Sequence, residues 1–204
     1  MQPADLQKFS SPVLVSCFGN LKPCFADAWS IAEELVKRGG IHSLAGVYWR
    51  SKDRAVRAGI EKVAYRQDSQ EALDFMRRVV AAKVDDGEDR YYPLNYLAKR
   101  CEREGLKAIA TGQFRSQGSL QYASSIELFG ACGYRAAIPH LVEEALWDAS
   151  LNVVNAAQNS LQKLYPGSPA DFASLAAMQQ YYCEQAVAEG FRLNCKSKVG
   201  DREK

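Results

Sequence analysis

The chain has 204 residues, 47% of them hydrophobic and 25% charged, with a formal net charge of +2. That length accommodates one domain with a real core, or five to six helix pairs, and the composition is ordinary for a soluble globular protein. So small a net charge gives no reason by itself to expect nucleic acid or membrane binding.

In chain order the pattern predicts helices throughout. The first covers 4–18, or two short pieces broken at Pro12. A second runs over 24–38, with Phe25, Ala28, Trp29, Ala32, Leu35 and Val36 on one side and Gly39-Gly40 as its stop. Helices follow at 41–50 and 55–65, the latter striped by Val56, Ile60, Val63 and Ala64. Asp68 or Ser69 caps 70–83, whose face is Ala72, Leu73, Met76, Val79 and Val80. Residues 84–90 read as a polar turn. Tyr91, Tyr92 and Pro93 lead into a helix over 94–104 that Gly105 ends, and 106–111 starts a short one. After a Gly/Ser/Gln-rich loop at 112–119, helices are predicted at 120–132, 135–146, 150–165 and 170–189, with Pro139 in a first turn. No alternating strand pattern stands out. The charged stretch 196–204 reads as a frayed tail, leaving one domain over 1–195.

The most informative feature is a repeat. Residues 121–133 and 153–164 carry the same helical pattern 32 residues apart, placing Ser125 opposite Ala157, Phe129 opposite Leu161 and Cys132 opposite Leu164. Between them, 135–146 forms a second helix of different character. The same spacing lands upstream near 89 and 57, where Leu97 matches the leucine position and Tyr65 replaces it. A lone short helix pair cannot bury its apolar face, so units of this size stack in a row. The expected fold is therefore all-α, a right-handed α-solenoid of stacked helix pairs, clearest over 120–165.

The six cysteines show no C-x-x-C spacing, and His42 and His140 are too few to complete a zinc site. Cys101 and Cys132 fall among apolar residues and read as buried free thiols, which fits a reducing, cytoplasmic compartment. The apolar run 12–18 has neither the basic flank of a signal peptide nor the length of a membrane span. Charge is uneven: 1–118 carries 19 Lys and Arg against 15 Asp and Glu, whereas 119–195 carries 3 against 7.

The run Phe129-Gly-Ala-Cys-Gly-Tyr-Arg-Ala-Ala-Ile-Pro-His-Leu-Val142, followed by Asp148, Val153-Val-Asn-Ala-Ala157 and Leu161, resembles HEAT-like repeats of the phycobilisome-lyase type over about 45 residues. Small residues there let two helices approach, while Ile138, Leu141 and Val142 fill the space between units. Residues 91–101, 134–142 and 149–167 are also similar to small bacterial HEAT-like proteins, some of which act as immunity proteins against secreted toxins. The resemblance implies a binding surface and says little about the ligand.

Catalytic motifs are missing: no G-x-S-x-G, P-loop, dinucleotide fingerprint or H-E-x-x-H occurs. Gly130-Ala-Cys-Gly133 reads as close helix packing and a helix stop rather than a phosphate cradle. Cys132 with His140 is chemically able to form a thiol–imidazole pair, but Cys132 aligns with core Leu164. Trp147-Asp148 invites comparison with HEAT-like DNA glycosylases, yet the surrounding region is acidic and Asp148 suits a turn. The expected function is a non-enzymatic, cofactor-free, protein-binding solenoid, most specifically one that neutralises a cognate toxin. Its partner-binding residues are expected to be His140, Glu143, Glu144, Trp147, Asp148, Tyr181 and Tyr182, with Tyr91, Tyr92 and Arg115 as weaker candidates. A phycobiliprotein lyase or chaperone and a general assembly scaffold are the alternatives; neither nucleic acid nor membrane is expected as a partner.

Overall fold

The computed structural model describes residues 3–18, 28–82 and 90–195, and the regular structure among them is helical, without strands. The tail 196–204, most of the turn at 84–90 and the first residues of the helix expected over 24–38 lie outside the described residues. No helix among those described is long and apolar enough to cross a membrane. The chain divides into two compact units, Met1–Leu97 and Ala98–Lys204, a division not contained in the expectation of one continuous domain over 1–195.

In the first unit, a 3-10 turn at Pro3–Lys8 precedes α1 (Ser11–Cys17). Pro12 falls in the first turn of α1, where its missing N–H costs nothing, so the opening stretch breaks into two pieces. α2 (Ala28–Gly39), α3 (His42–Arg50), α4 (Arg54–Tyr65) and α5 (Gln70–Ala82) follow, then α6 (Tyr91–Lys99). Gly40, at φ +66°, follows the end of α2. The Asp53 side chain accepts a hydrogen bond from the Ala55 amide at 2.8 Å and so caps α4. Ile31, Ala32 and Leu35 of α2 meet Val56, Ile60 and Val63 of α4 in a closed core. Gly59 makes that approach possible, since a Cβ there would lie 3.1 Å from Ala28 Cβ and 3.2 Å from the Trp29 backbone nitrogen. Tyr48 is fully buried, its hydroxyl donating to Glu61 at 2.7 Å.

In the second unit, α7 (Arg103–Ala110), α8 (Ser119–Ala131), α9 (Ile138–Glu143), α10 (Leu151–Leu164) and α11 (Leu175–Ala188) are joined by 3-10 turns at Arg115–Gln117, Arg135–Ala137 and Ala145–Trp147. α8 lies against α10, and the paired positions Ser125 and Ala157, Phe129 and Leu161 are all fully buried. A Cβ on Gly130 would sit 2.7 Å from Ser160 Cα, and Ser160 Oγ donates to the Ile126 carbonyl at 2.9 Å. Gly130 is thus a packing glycine, while Gly133, at φ +62° with open space around it, serves the turn after α8. Pro139 occupies the first turn of α9 as its sequence position required.

Four expectations are corrected. The helix expected over 94–104 is two helices: α6 stops at Lys99, Cys101 takes φ +59°, and Gly105 is buried inside α7 rather than ending a helix. Cys101 is disulfide-bonded to Cys132, with Cα atoms 5.3 Å apart, and Cys183 to Cys195, with Cα atoms 5.5 Å apart. Cys17 is disulfide-bonded as well, so no described cysteine is a free thiol and the buried-thiol reading fails. The helix expected over 135–146 is broken on either side of α9 by 3-10 turns, and that expected from 170 begins only at Leu175, where the Ser174 hydroxyl accepts from the Ala177 amide.

Candidate functional site

Within the second unit, α7 and α9 with the turns beside them enclose a groove of about 660 Å³. Ala110, Ala136 and Pro139 supply its small residues. Arg103 and Lys107, one turn apart on α7, are exposed cations on its lining; Glu143 and Glu144 at the end of α9 are anions on it, and Glu104 is a further one. Arg103 and Lys107 have no ion-pair partner among the described residues. Small residues leave open space along the groove, and charges of both signs line it.

Beneath the groove lies a polar ring. His140 is only 6% exposed, and its Nε2 stands 2.6 Å from the hydroxyl of Tyr122 on α8, itself buried. Arg115 Nε donates to that hydroxyl at 3.4 Å, and Arg115 Nη2 pairs with the Glu144 carboxylate. Glu144 Oε2 comes back to within 3.5 Å of His140 Nδ1, which has no hydrogen-bond partner. A guanidinium can only donate, so the Tyr122 oxygen accepts from Arg115 and its proton goes to His140 Nε2. The neutral imidazole then carries its own proton on Nδ1, facing Glu144. Burial pulls His140 below its usual pKa; Glu144 opposes that shift and Arg115 adds to it. Burial likewise raises the Tyr122 pKa, against the pull of Arg115.

A ring of this kind holds its members in place rather than activating one of them. Tyr122 is buried with its ionisation disfavoured, which is the reverse of what a tyrosine nucleophile or base requires. The thiol–imidazole pair is removed outright, because Cys132 is bonded to Cys101.

Of the residues singled out from sequence, the structure brings His140, Glu143 and Glu144 to the groove, whereas Trp147, Asp148, Tyr181 and Tyr182 do not line it. His140 is a buried brace, not one of the exposed polar residues expected on this helix. Glu143 accepts the Asn194 amide at 3.2 Å and is half-buried; Glu144 is exposed but held by Arg115. Asp148 accepts the Ser150 amide at 2.8 Å and forms the turn before α10. Trp147 is half-buried. Tyr182 is core, packed on Tyr165 and Phe172 with its hydroxyl 3.1 Å from Ser168 Oγ; Tyr181 is half-buried at its edge. Tyr91 and Tyr92 begin α6 instead of sitting in a loop, and Tyr92 packs edge-on to Tyr65.

Tyr122, Arg103 and Lys107 were missed. Tyr122 had a signal: with Ser125, Ile126 and Phe129 it repeats at helical spacing, and a tyrosine on a buried face needs a partner for its hydroxyl. Among the described residues, no group of three His, Cys, Asp or Glu side chains is placed to hold a metal ion. Comparison with protein-family models, curated proteins and solved structures finds no match to this chain.

Proposed function

We propose that this chain is a non-enzymatic protein-binding scaffold of stacked HEAT-like helix pairs, and that it neutralises a cognate bacterial toxin by seating part of it in the α7–α9 groove. The observation that carries the reading is the groove itself. It has small residues in its lining, two uncommitted cations on α7 and two carboxylates at the end of α9. Walls braced by a closed polar ring lose little conformational freedom when a partner docks. The fit of α8 to α10 across a 32-residue period supports the stacked-pair arrangement, and the resemblance of 129–161 to HEAT-like repeats points the same way.

The compartment follows the cysteines. Disulfides persist where glutathione and thioredoxin do not keep thiols reduced, so we place the protein in an oxidising compartment rather than the cytoplasm. The toxin it meets is then one that acts or passes there.

The test is growth rescue. The oxidised chain, exported to the compartment where a toxin acts, should protect cells from that toxin if an adjacent gene encodes it. Arg103→Glu with Lys107→Glu should abolish protection while leaving circular dichroism and melting unchanged. Protection that survives the double reversal excludes the groove, and catalytic turnover by the purified chain excludes the non-enzymatic reading. Bilin-dependent colour on mixing with an apo-phycobiliprotein would assign the lyase role instead.

A further inference from the structure

In the first unit two cations lie against one aromatic ring with no counter-ion among the described residues. Trp29, half-buried on α2, has Lys62 Nζ 4.9 Å and the Arg66 guanidinium carbon 4.6 Å from its ring centroid. Lys62 and Arg66 stand one helical turn apart at the end of α4, a spacing at which like charges repel. Neither has a carboxylate within ion-pair distance among the described residues.

The local acids are committed elsewhere. Residues 50–66 contain six Lys and Arg against only Asp53 and Glu61. Asp53 is spent on capping α4, and Glu61 is 3% exposed and bonded to the Tyr48 hydroxyl. The exposed side of α4 between its basic residues carries Ala55 and Ala58, which leave room for close approach. Arg50 and Lys52, just before α4, add positive charge on the lining of a hollow of about 340 Å³.

Cations stacked on an indole keep their charge available while their geometry is fixed. Fixed, adjacent and without a carboxylate partner among the described residues, they suit carboxylates brought from outside. We propose that Trp29, Lys62 and Arg66 form a docking point for an acidic segment of a protein partner, with carboxylates on the two cations and side-chain methylenes on the indole. It belongs to the first unit and does not depend on the toxin reading.

The probe is an end-capped hexaglutamate peptide, titrated at low ionic strength into the intact oxidised chain while the Trp29 indole N–H resonance is followed. The expected result is a saturable shift, weakened about tenfold or more in Lys62→Gln/Arg66→Gln, retained in Arg66→Lys, and reduced by added salt. Hexalysine should give none. Melting curves of the variants should lie close to that of the parent, since Arg66 is exposed and Lys62 only half-buried. A peptide that produces no saturable shift overturns the proposal, and so does a double variant that binds equally well. A short DNA duplex that saturates the site where hexaglutamate does not would overturn it too, in favour of nucleic acid.

Discussion

Tyr122 and His140, eighteen residues apart on α8 and α9, share a buried 2.6 Å contact between hydroxyl and Nε2. That contact decides the character of the groove. It turns His140 inward as a brace and fixes its neutral tautomer, while Arg103 and Lys107 stay exposed on the lining.

Tyr122→Phe tests the brace. It removes the hydroxyl that reaches His140 Nε2 and strands a buried ring nitrogen. Unfolding in urea should show a loss of about 1–3 kcal/mol, the cost of a buried polar group without its partner. A Phe variant as stable as the parent would mean that the contact contributes nothing.

The pH dependence has a definite sign. Burial lowers the His140 pKa in the folded chain, so the unfolded chain takes up this proton first as pH falls. The stability His140 contributes is complete above the unfolded value of about 6.5 and is lost as pH drops from there toward the depressed folded value. Denaturant titrations between pH 7 and 5 should show that decline, and His140→Phe should flatten it. A decline of equal slope in both proteins would assign it to another group.

Gly130 and Gly133 should respond differently to alanine. At Gly130 the new Cβ meets Ser160 Cα at 2.7 Å, and α8 must move off α10, so a loss of about 1–3 kcal/mol is expected. At Gly133 nothing obstructs the Cβ, and only the positive φ is penalised, by about 1 kcal/mol. Melting curves of the two variants check the order, which reversed values would contradict.

Reduction should weaken the protein markedly. Cys101–Cys132 closes a separation of 31 residues and Cys183–Cys195 one of 12. Each contributes about 2–4 kcal/mol by restricting the unfolded chain. Unfolding with and without a thiol reductant measures this, and an unchanged midpoint would contradict the structural role given to them.

Much of the helical framework was legible because it rests on local periodicity. The 32-residue repeat placed Phe129 and Leu161 in equivalent buried positions, and Pro139 and the two glycines around Cys132 read correctly from backbone chemistry alone. What stayed hidden was pairing across the chain. Cys101 reads as one more small apolar residue until Cys132 is beside it, and only then does the break between α6 and α7 make sense. His140 looks like a polar residue free to face solvent, because nothing within its own helix announces Tyr122. The α7 cations were invisible for a related reason: the helix that carries them was assigned a different start.

The α7–α9 groove is the proposed seat of a protein partner. Amide hydrogen exchange of the oxidised chain, with and without the proposed toxin partner, measures this directly. Protection concentrated over 103–111 and 134–144 is the expected result. Protection confined to other helices, with those two stretches exchanging as in the free chain, would contradict it.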